Sequence, residues 1–134
     1  MKKRMWSKAV SIFTAILLVV GLVPSTTVAV MAADGIELYV GGQQITESGC
    51  YENQNGTWTK VDGTEPANGQ FSYDAATCTL TLNGAEISYD GIVKLGDSNY
   101  NGSVIAYNAS AAVSLNIVLQ GKSTITGEGG IRVQ

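Results

Sequence analysis

The segment Leu80-Thr81-Leu82-Asn83-Gly84 recurs as Ile117-Val118-Leu119-Gln120-Gly121, 37 residues further along the chain. Each copy has two apolar residues separated by one residue, then an amide side chain and a glycine. Because side chains alternate between the two faces of a strand, the apolar residues of each copy point to the same side. A second match, Ile105-Ala106-Tyr107-Asn108 with Ile131-Arg132-Val133-Gln134, has an offset of 26. Short strands recurring at such intervals predict the coils of a parallel β-helix with stacked corner amides; the alternative is a β-sandwich.

The sequence before these repeats is also typical of β-structure. Residues 35–40 alternate apolar and polar side chains, Gly41-Gly42 offers a two-residue turn, and residues 43–46 complete a predicted hairpin. The Gly-, Asn- and Glu-rich residues 47–70 are predicted to be mostly loop around one short strand, Thr57–Val61. No segment after residue 33 shows a helical period. We therefore predict an all-β domain over residues 34–134.

The first 33 residues have the pattern of a removable export signal. A basic start at Met1 to Arg4 precedes an apolar stretch from Ala9 to Val23, and small residues near Ala32 and Ala33 suit a signal peptidase. The apolar stretch is shorter than the roughly 20 residues of a membrane-spanning helix. We expect cleavage after Ala32 or Ala33 and a secreted or cell-surface protein. The rest of the chain has no second apolar run, so we expect no membrane role after the signal is removed.

Charge divides unequally between the two segments. The whole chain has a formal charge of −3, but four of its eight Lys and Arg lie in the signal and all eleven carboxylates follow it. The mature domain thus carries four positive and eleven negative groups, a formal charge of −7, which disfavours nucleic acid and anionic lipid as partners. The chain has no His, so imidazole metal sites and Ser-His-Asp or Cys-His catalysis are excluded.

Five segments together resemble the secreted bacterial carbohydrate-binding domain-containing proteins, which are right-handed parallel β-helices of the pectate-lyase-like superfamily. They are residues 71–87 (FSYDAATCTLTLNGAEI), 104–107, 115–127 (LNIVLQGKSTITG) and 130–131, with 36–46 (IELYVGGQQIT) as the opening strand pair. The resemblance implies an N-terminal hairpin leading into about two coils of a β-helix. Since no capping segment follows Gln134, we expect these residues to be the N-terminal part of a longer domain. One departure from the family is Cys78, at a turn position where Asn or Gly is usual.

The resemblance implies a function as well as a fold. It implies non-catalytic binding of extracellular, often acidic, polysaccharide, assisted by bound calcium. The alternative is a structural or adhesive stalk that spaces other domains and binds no glycan. We do not expect an enzyme, because the few bases and the carboxylates Glu86, Asp90, Asp97 and Glu128 show no paired spacing. A polysaccharide lyase or hydrolase would need a site in coils beyond these residues.

Cys50 and Cys78 are the only cysteines, and exported proteins retain disulfides. A bridge between them would close a loop of about 29 residues and stabilise the domain by roughly 3 to 4 kcal/mol. We predict this disulfide; the alternative is two unpaired, buried thiols.

Residues 97–102 read D-x-N-x-N-G, the first half of a calcium-loop signature. Asp97, Asn99 and Asn101 are the candidate ligands, with Asp90 nearby. The twelfth position is Asn108, where a bidentate carboxylate belongs, so binding would be weak. A Gly- and Asn-rich corner without metal is the alternative.

Aromatic side chains supply the surfaces on which sugar rings stack. Tyr39, Tyr73 and Tyr107 lie in strand patterns and are expected in the core. The other candidates occupy polar, turn-rich sequence and are predicted at the surface as carbohydrate-binding residues, with packing against the loops as the alternative. They are Trp58, Tyr51, Tyr89 and Tyr100. An acidic polymer would also need calcium or a basic patch, for which Lys94, Lys122 and Arg132 are the candidates.

Overall fold

The computed structural model describes residues 34–134, so the predicted export signal lies outside the described residues. This part of the chain is all-β, as predicted, and contains no helix. Its thirteen strands are β1 (Ile36–Val40), β2 (Gln43–Gln44), β3 (Gly49–Gln54), β4 (Thr57–Val61), β5 (Gln70–Asp74), β6 (Thr79–Asn83), β7 (Glu86–Ser88), β8 (Ile92–Leu95), β9 (Ser98–Asn101), β10 (Ser103–Ala109), β11 (Asn116–Gln120), β12 (Thr124–Thr126) and β13 (Gly130–Val133).

The strands form four sheets, none of which is closed into a barrel. One sheet has the order β13-β10-β1-β2 and another the order β11-β6-β5-β3-β4. Two smaller sheets pair β12 with β7 and β8 with β9. Residues from both large sheets meet in one apolar core, which fits a β-sandwich-like arrangement.

The predicted opening hairpin is confirmed. β1 and β2 are antiparallel neighbours, with Val40 opposite Gln43. Gly41 and Gly42 have φ angles of +57° and +78°. Two consecutive positive φ angles are what a type I′ hairpin turn requires, and glycine adopts them without strain.

Residues 47–70 are more ordered than predicted. The predicted strand Thr57–Val61 is confirmed as β4, but Gly49–Gln54 forms a further strand, β3, that pairs with both β4 and β5. Asn55 and Gly56 turn between β3 and β4 with φ angles of +56° and +89°. The Asn-Gly pair is a strong hairpin signal. The loop prediction was wrong because it rested on the polar composition of β3 and gave no weight to the Asn-Gly pair.

Three parallel strand pairs join the C-terminal third of the chain to the strands before it. β6 pairs with β11, β7 with β12 and β10 with β13, so that Leu80 lies opposite Ile117 and Ile105 opposite Ile131. These are the matched residues of the two sequence repeats. We call β6, β7 and β10 the first layer, and β11, β12 and β13 the second layer. The repeat offsets differ because the β8–β9 hairpin, Ile92 to Asn101, is inserted between β7 and β10 but has no counterpart in the second layer.

The main core lies on the inner side of the first layer. Leu80, Leu82, Ile87, Ile105 and Tyr107 are each at most 1 % exposed and belong to one apolar cluster. The core prediction is confirmed for Tyr107 and for Tyr73, which is also buried, whereas Tyr39 is only half-buried. The β8–β9 hairpin packs on the opposite face of β10 through a smaller cluster of Val93, Leu95 and Ala106.

The corner amides do not stack as predicted. Asn83 lies opposite Gln120 in register, but its amide donates to the backbone carbonyl of Pro66 at 2.8 Å. The amide of Asn108 donates to Glu37 Oε2 at 3.0 Å. Each amide therefore fixes a loop or a strand at its own level instead of linking the two layers.

Glu37 connects three parts of the fold through one carboxylate oxygen. Besides the Asn108 amide, Oε2 accepts the backbone N–H of Gly96 in the β8–β9 turn at 2.8 Å. These two hydrogen bonds lower the pKa of Glu37 from its ordinary value, because both favour the charged form. The carboxylate thereby ties β1, β10 and the inserted hairpin together.

We expect Glu37→Gln to change how stability depends on pH. A lowered pKa adds stability above the ordinary value near 4.5, and this contribution is lost as the pH falls below it. Urea unfolding from about pH 6 to about pH 3 should show the wild-type advantage over Glu37→Gln shrinking on acidification. Glu86→Gln, at an exposed position of β7, is the matched control and should show no such trend. A constant difference between wild type and Glu37→Gln would contradict this account.

Candidate functional site

A cleft of about 610 Å³ lies where β7 and β12 end. Its lining residues come from two short segments that follow the same course in the two layers: Ser88, Tyr89 and Asp90 in the first, and Thr126, Gly127 and Glu128 in the second. Ser88 and Thr126 are register partners in the parallel β7–β12 pair. The backbone N–H of Tyr89 donates to the carbonyl of Thr126 at 3.1 Å, which continues the pairing by one residue. Parallel pairing is therefore what assembles the cleft.

Tyr89 is the aromatic residue of the cleft, and its half-buried ring is held from several sides. Its hydroxyl donates to the carbonyl of Ile92 at 3.1 Å. A Cβ placed on Gly42 would lie 2.1 Å from the ring, and one on Gly91 would lie 2.5 Å from its hydroxyl oxygen. Because both glycines let the backbone approach the ring this closely, Tyr89 has little freedom to move.

Gly127 permits the close contact between the two sides of the cleft. A Cβ at this position would lie 2.4 Å from Val104 Cγ2 and 2.5 Å from the carbonyl oxygen of Tyr89. Any larger residue would have to push β12 away from the core or from the Tyr89 backbone. The glycine thus sets how near Glu128 lies to the first-layer residues.

The chemistry of the lining is that of a hydrogen-bonding and stacking site. Ser88 and Thr126 supply hydroxyls, and Asp90 and Glu128 are exposed carboxylates that accept hydrogen bonds. None of the six lining residues is basic. A neutral ligand rich in hydroxyl groups matches these acceptors, whereas an anionic ligand meets two like charges.

The sequence does not pair the two carboxylates directly, since Glu128 follows Asp90 by 38 positions. The nearest available signal was the repeat offset of 37, which falls one position short of this pairing. Once Ile87 is aligned with Ile125, residues 89–90 and 127–128 follow the two paired strands and reach the same edge. Tyr89 lines the cleft together with these carboxylates, and its role in carbohydrate binding stays a prediction.

Tyr100 lies outside this cleft. The guanidinium carbon of Arg132 lies 4.4 Å from the centroid of its ring, a cation–π arrangement that covers one face. The Gln134 side-chain amide donates to the Tyr100 hydroxyl. Tyr100 therefore joins the inserted hairpin to β13, and of the three predicted basic-patch residues only Arg132 has this contact.

The prediction that Tyr51 and Trp58 are surface residues was wrong. They are only 5 % and 3 % exposed, and both pack on Phe71, with ring centroids 5.0 Å and 4.8 Å away. Their rings offer no free face to a sugar. The β3–β4 hairpin is the physical reason, because it turns one face of each strand towards the core.

The predicted calcium loop is a β-hairpin instead. Asp97 lies in the turn between β8 and β9, and Asn99 and Asn101 lie on β9 itself, all three exposed. In an extended strand, side chains two residues apart point the same way but are spaced by roughly 6 to 7 Å. Asn99 and Asn101 are therefore spread along one strand, and calcium binding at this segment stays a prediction. Among residues 34–134, no cluster of three or more carboxylate or thiol side chains is placed to hold a metal ion.

The predicted disulfide is not formed, and Cys50 and Cys78 are both buried free thiols. Cys50 neighbours Tyr51 on β3 and so points to the face opposite the core, where its Sγ lies 3.6 Å from a Cβ placed on Gly63. Cys78 lies on the core side, and burial together with this thiol raises the pKa of Tyr107 to about 12. The sheet therefore separates the two sulfur atoms.

Comparison with known proteins found no matching family model, no matching curated protein and no matching solved structure. Within residues 34–134 there is also no helix of the length and apolarity needed to cross a bilayer.

Thiol labelling tests the cysteine assignment. In denaturant without reductant, we expect alkylation of both Cys50 and Cys78, read as two adducts by intact mass. Under native conditions we expect slow labelling, because both thiols are buried and burial raises the pKa of Cys50. Purified protein that gains adducts only after reduction would contradict the assignment and restore the disulfide.

Proposed function

We propose that this protein is a secreted or cell-surface module that binds polysaccharide without catalysis, and that its C-terminal strands belong to a right-handed parallel β-helix. In this proposal residues 1–33 are removed on export, and the cleft around Tyr89 holds the glycan. The observation that carries the proposal is the composition of the cleft: one fixed aromatic ring, two hydroxyls and two carboxylates in about 610 Å³.

Support for the β-helix comes from the three parallel pairs. Each strand of the second layer lies beside a strand of the first, in the same order. The β6–β11 and β10–β13 pairs also have the register of the two sequence repeats. Successive coils of a solenoid are related in this way. The antiparallel strands β1 to β5 then form the entry to the helix, on the side of the first layer away from the second.

The cleft favours a neutral glycan over the acidic polymers implied by the family resemblance. Carboxylates accept hydrogen bonds from sugar hydroxyls in pairs, and such charged hydrogen bonds are stronger than neutral ones. A uronic-acid polymer would place further carboxylates beside Asp90 and Glu128 without a basic residue among the lining groups. We therefore propose neutral, hydroxyl-rich polysaccharide as the ligand class.

A glycan array followed by titration calorimetry tests this function. We expect selective binding to neutral polysaccharides, and Tyr89→Ala should weaken it at least about tenfold because the stacking surface is lost. Tyr100→Ala is the matched control, since it removes a surface tyrosine outside the cleft. Circular dichroism of each variant shows that the fold is kept. Equal losses in the two variants, or binding confined to uronic-acid polymers, would contradict the assignment of the cleft.

Two alternative functions have distinct outcomes in the same experiments. A blank array would favour a structural or adhesive stalk, for which the layered strands alone are the supporting observation. The position of Asp90 and Glu128 in one cleft favours glycoside hydrolysis as the other alternative, because such enzymes use two carboxyl groups flanking the bond. Release of new reducing ends, abolished by Asp90→Asn and by Glu128→Gln, would identify a hydrolase.

A further inference from the structure

Four asparagines of this chain are followed directly by glycine: Asn55, Asn68, Asn83 and Asn101. An Asn-Gly pair is prone to an intramolecular reaction in which the glycine nitrogen attacks the side-chain amide carbon of the asparagine. Glycine favours this attack because it has no Cβ to hinder the approach. Since the four pairs share this local sequence, a large difference in their reactivity must come from the fold.

The fold restrains the attacking nitrogen in three of the four pairs. A backbone N–H that donates to a backbone carbonyl is held in place and is harder to deprotonate, so such a bond opposes the reaction. The three bonds run from Gly69 to the carbonyl of Asn83 at 2.7 Å, from Gly84 to Gln120 at 3.1 Å and from Gly102 to Gly91 at 2.8 Å.

Two of these three pairs are restrained further. The amide of Asn83 donates to the carbonyl of Pro66 at 2.8 Å, which holds the carbon that would be attacked. Gly102 is buried, and a Cβ placed on it would lie 2.9 Å from the backbone nitrogen of Glu128. Neither pair has room to form a ring without a wider opening of the fold.

The pair of Asn55 and Gly56 lies at the exposed tip of the β3–β4 hairpin. The N–H of Gly56 donates to the side-chain Oδ1 of Asn53 at 2.8 Å, and all three residues are exposed. A Cβ placed on Gly56 would meet no heavy atom of residues 34–134 within 4 Å. Hydroxide and water therefore reach this turn, and a hairpin tip opens locally at a lower free-energy cost than a paired strand.

We propose that Asn55 is a site of spontaneous succinimide formation in the folded protein, ahead of the other three pairs. The Gly56 nitrogen gives its proton to hydroxide and bonds to Asn55 Cγ, while the Cγ–Nδ2 bond breaks and ammonia leaves. Water then opens the ring. Opening at Cγ gives aspartate, and opening at the backbone carbonyl gives isoaspartate, whose main chain runs through Cβ and Cγ. Overall, an amide and water become a carboxylate and ammonium, with no oxidant or cofactor.

Isoaspartate at this position would disturb the β3–β4 hairpin. It adds a methylene to the main chain of a two-residue turn, in which Gln54 lies opposite Thr57. The next residue, Trp58, is held at both backbone groups by the Gln43 side chain, with its N–H donating to Oε1 at 2.9 Å and its carbonyl accepting from Nε2 at 2.6 Å. A longer turn shifts β4 against these partners. We therefore expect the isoaspartate form to be less stable than the original protein.

Peptide mapping by mass spectrometry of protein aged in mildly alkaline buffer tests the site. We expect replacement of the amide by a carboxyl group at least about tenfold faster at Asn55 than at Asn68, Asn83 or Asn101. In urea, where the fold no longer restrains the glycine nitrogens, the four rates should agree within about threefold. A rate at Asn55 in the folded protein no faster than at the other pairs, or the same ranking in urea as in buffer, would overturn the proposal.

Asn55→Gly is the matched variant, because it removes the amide that is attacked while glycine adopts the +56° φ angle of this position without strain. Urea unfolding before and after ageing should show a loss of stability in the wild type and none in Asn55→Gly. Equal losses in the two proteins, or a modified wild type with unchanged stability, would contradict the expected effect on the hairpin. These measurements do not depend on glycan binding.

Discussion

The parallel register between the two layers is the constraint on which the rest of the structure depends. It places Ile117 and Leu119 over Leu80 and Leu82, and Ile125 over Ile87, so that each second-layer residue extends a buried apolar column. Since strand side chains alternate between faces, a slip by one residue would turn all of these groups outwards. The core therefore fixes the register, and the register fixes which loops become neighbours.

The proposed glycan cleft follows from that constraint. The cleft exists because β7 and β12 end at the same level, which brings Tyr89 and Asp90 beside Glu128.

The sequence was most informative where local and repeated patterns agree. The alternation before Gly41-Gly42 predicted the β1–β2 hairpin, and the offset of 37 identified the segments that pair as β6 and β11. It was least informative where a polar segment that resembles a loop is paired within a sheet. β3 is polar enough to resemble a loop, yet its pairing carries Tyr51 into the core.

The site was only partly predictable for a related reason. Tyr89 could be selected by residue type, whereas the placement of Asp90 and Glu128 in one cleft depends on the pairing of Ile87 with Ile125. That pairing has an offset of 38, which the repeats with offsets of 37 and 26 do not give. The residues from Asp97 onwards satisfy a loop motif by spacing, but alternate residues also suit a strand, and pairing with β8 decides between them. The spacing of residues within one segment cannot distinguish a loop from a strand here, because pairing with a neighbouring strand determines which of them forms.

Measurement of backbone contacts between the layers tests the central claim most directly. In nuclear Overhauser spectra of the isotopically labelled protein, parallel pairing predicts contacts between the backbone protons of residues around Leu82 and Leu119, and around Ile105 and Ile131. Slow exchange of alternate amides along β11 should accompany them, because these are the amides that point towards β6. Contacts displaced by one residue, an antiparallel pattern, or fast exchange throughout β11 would contradict the layered arrangement.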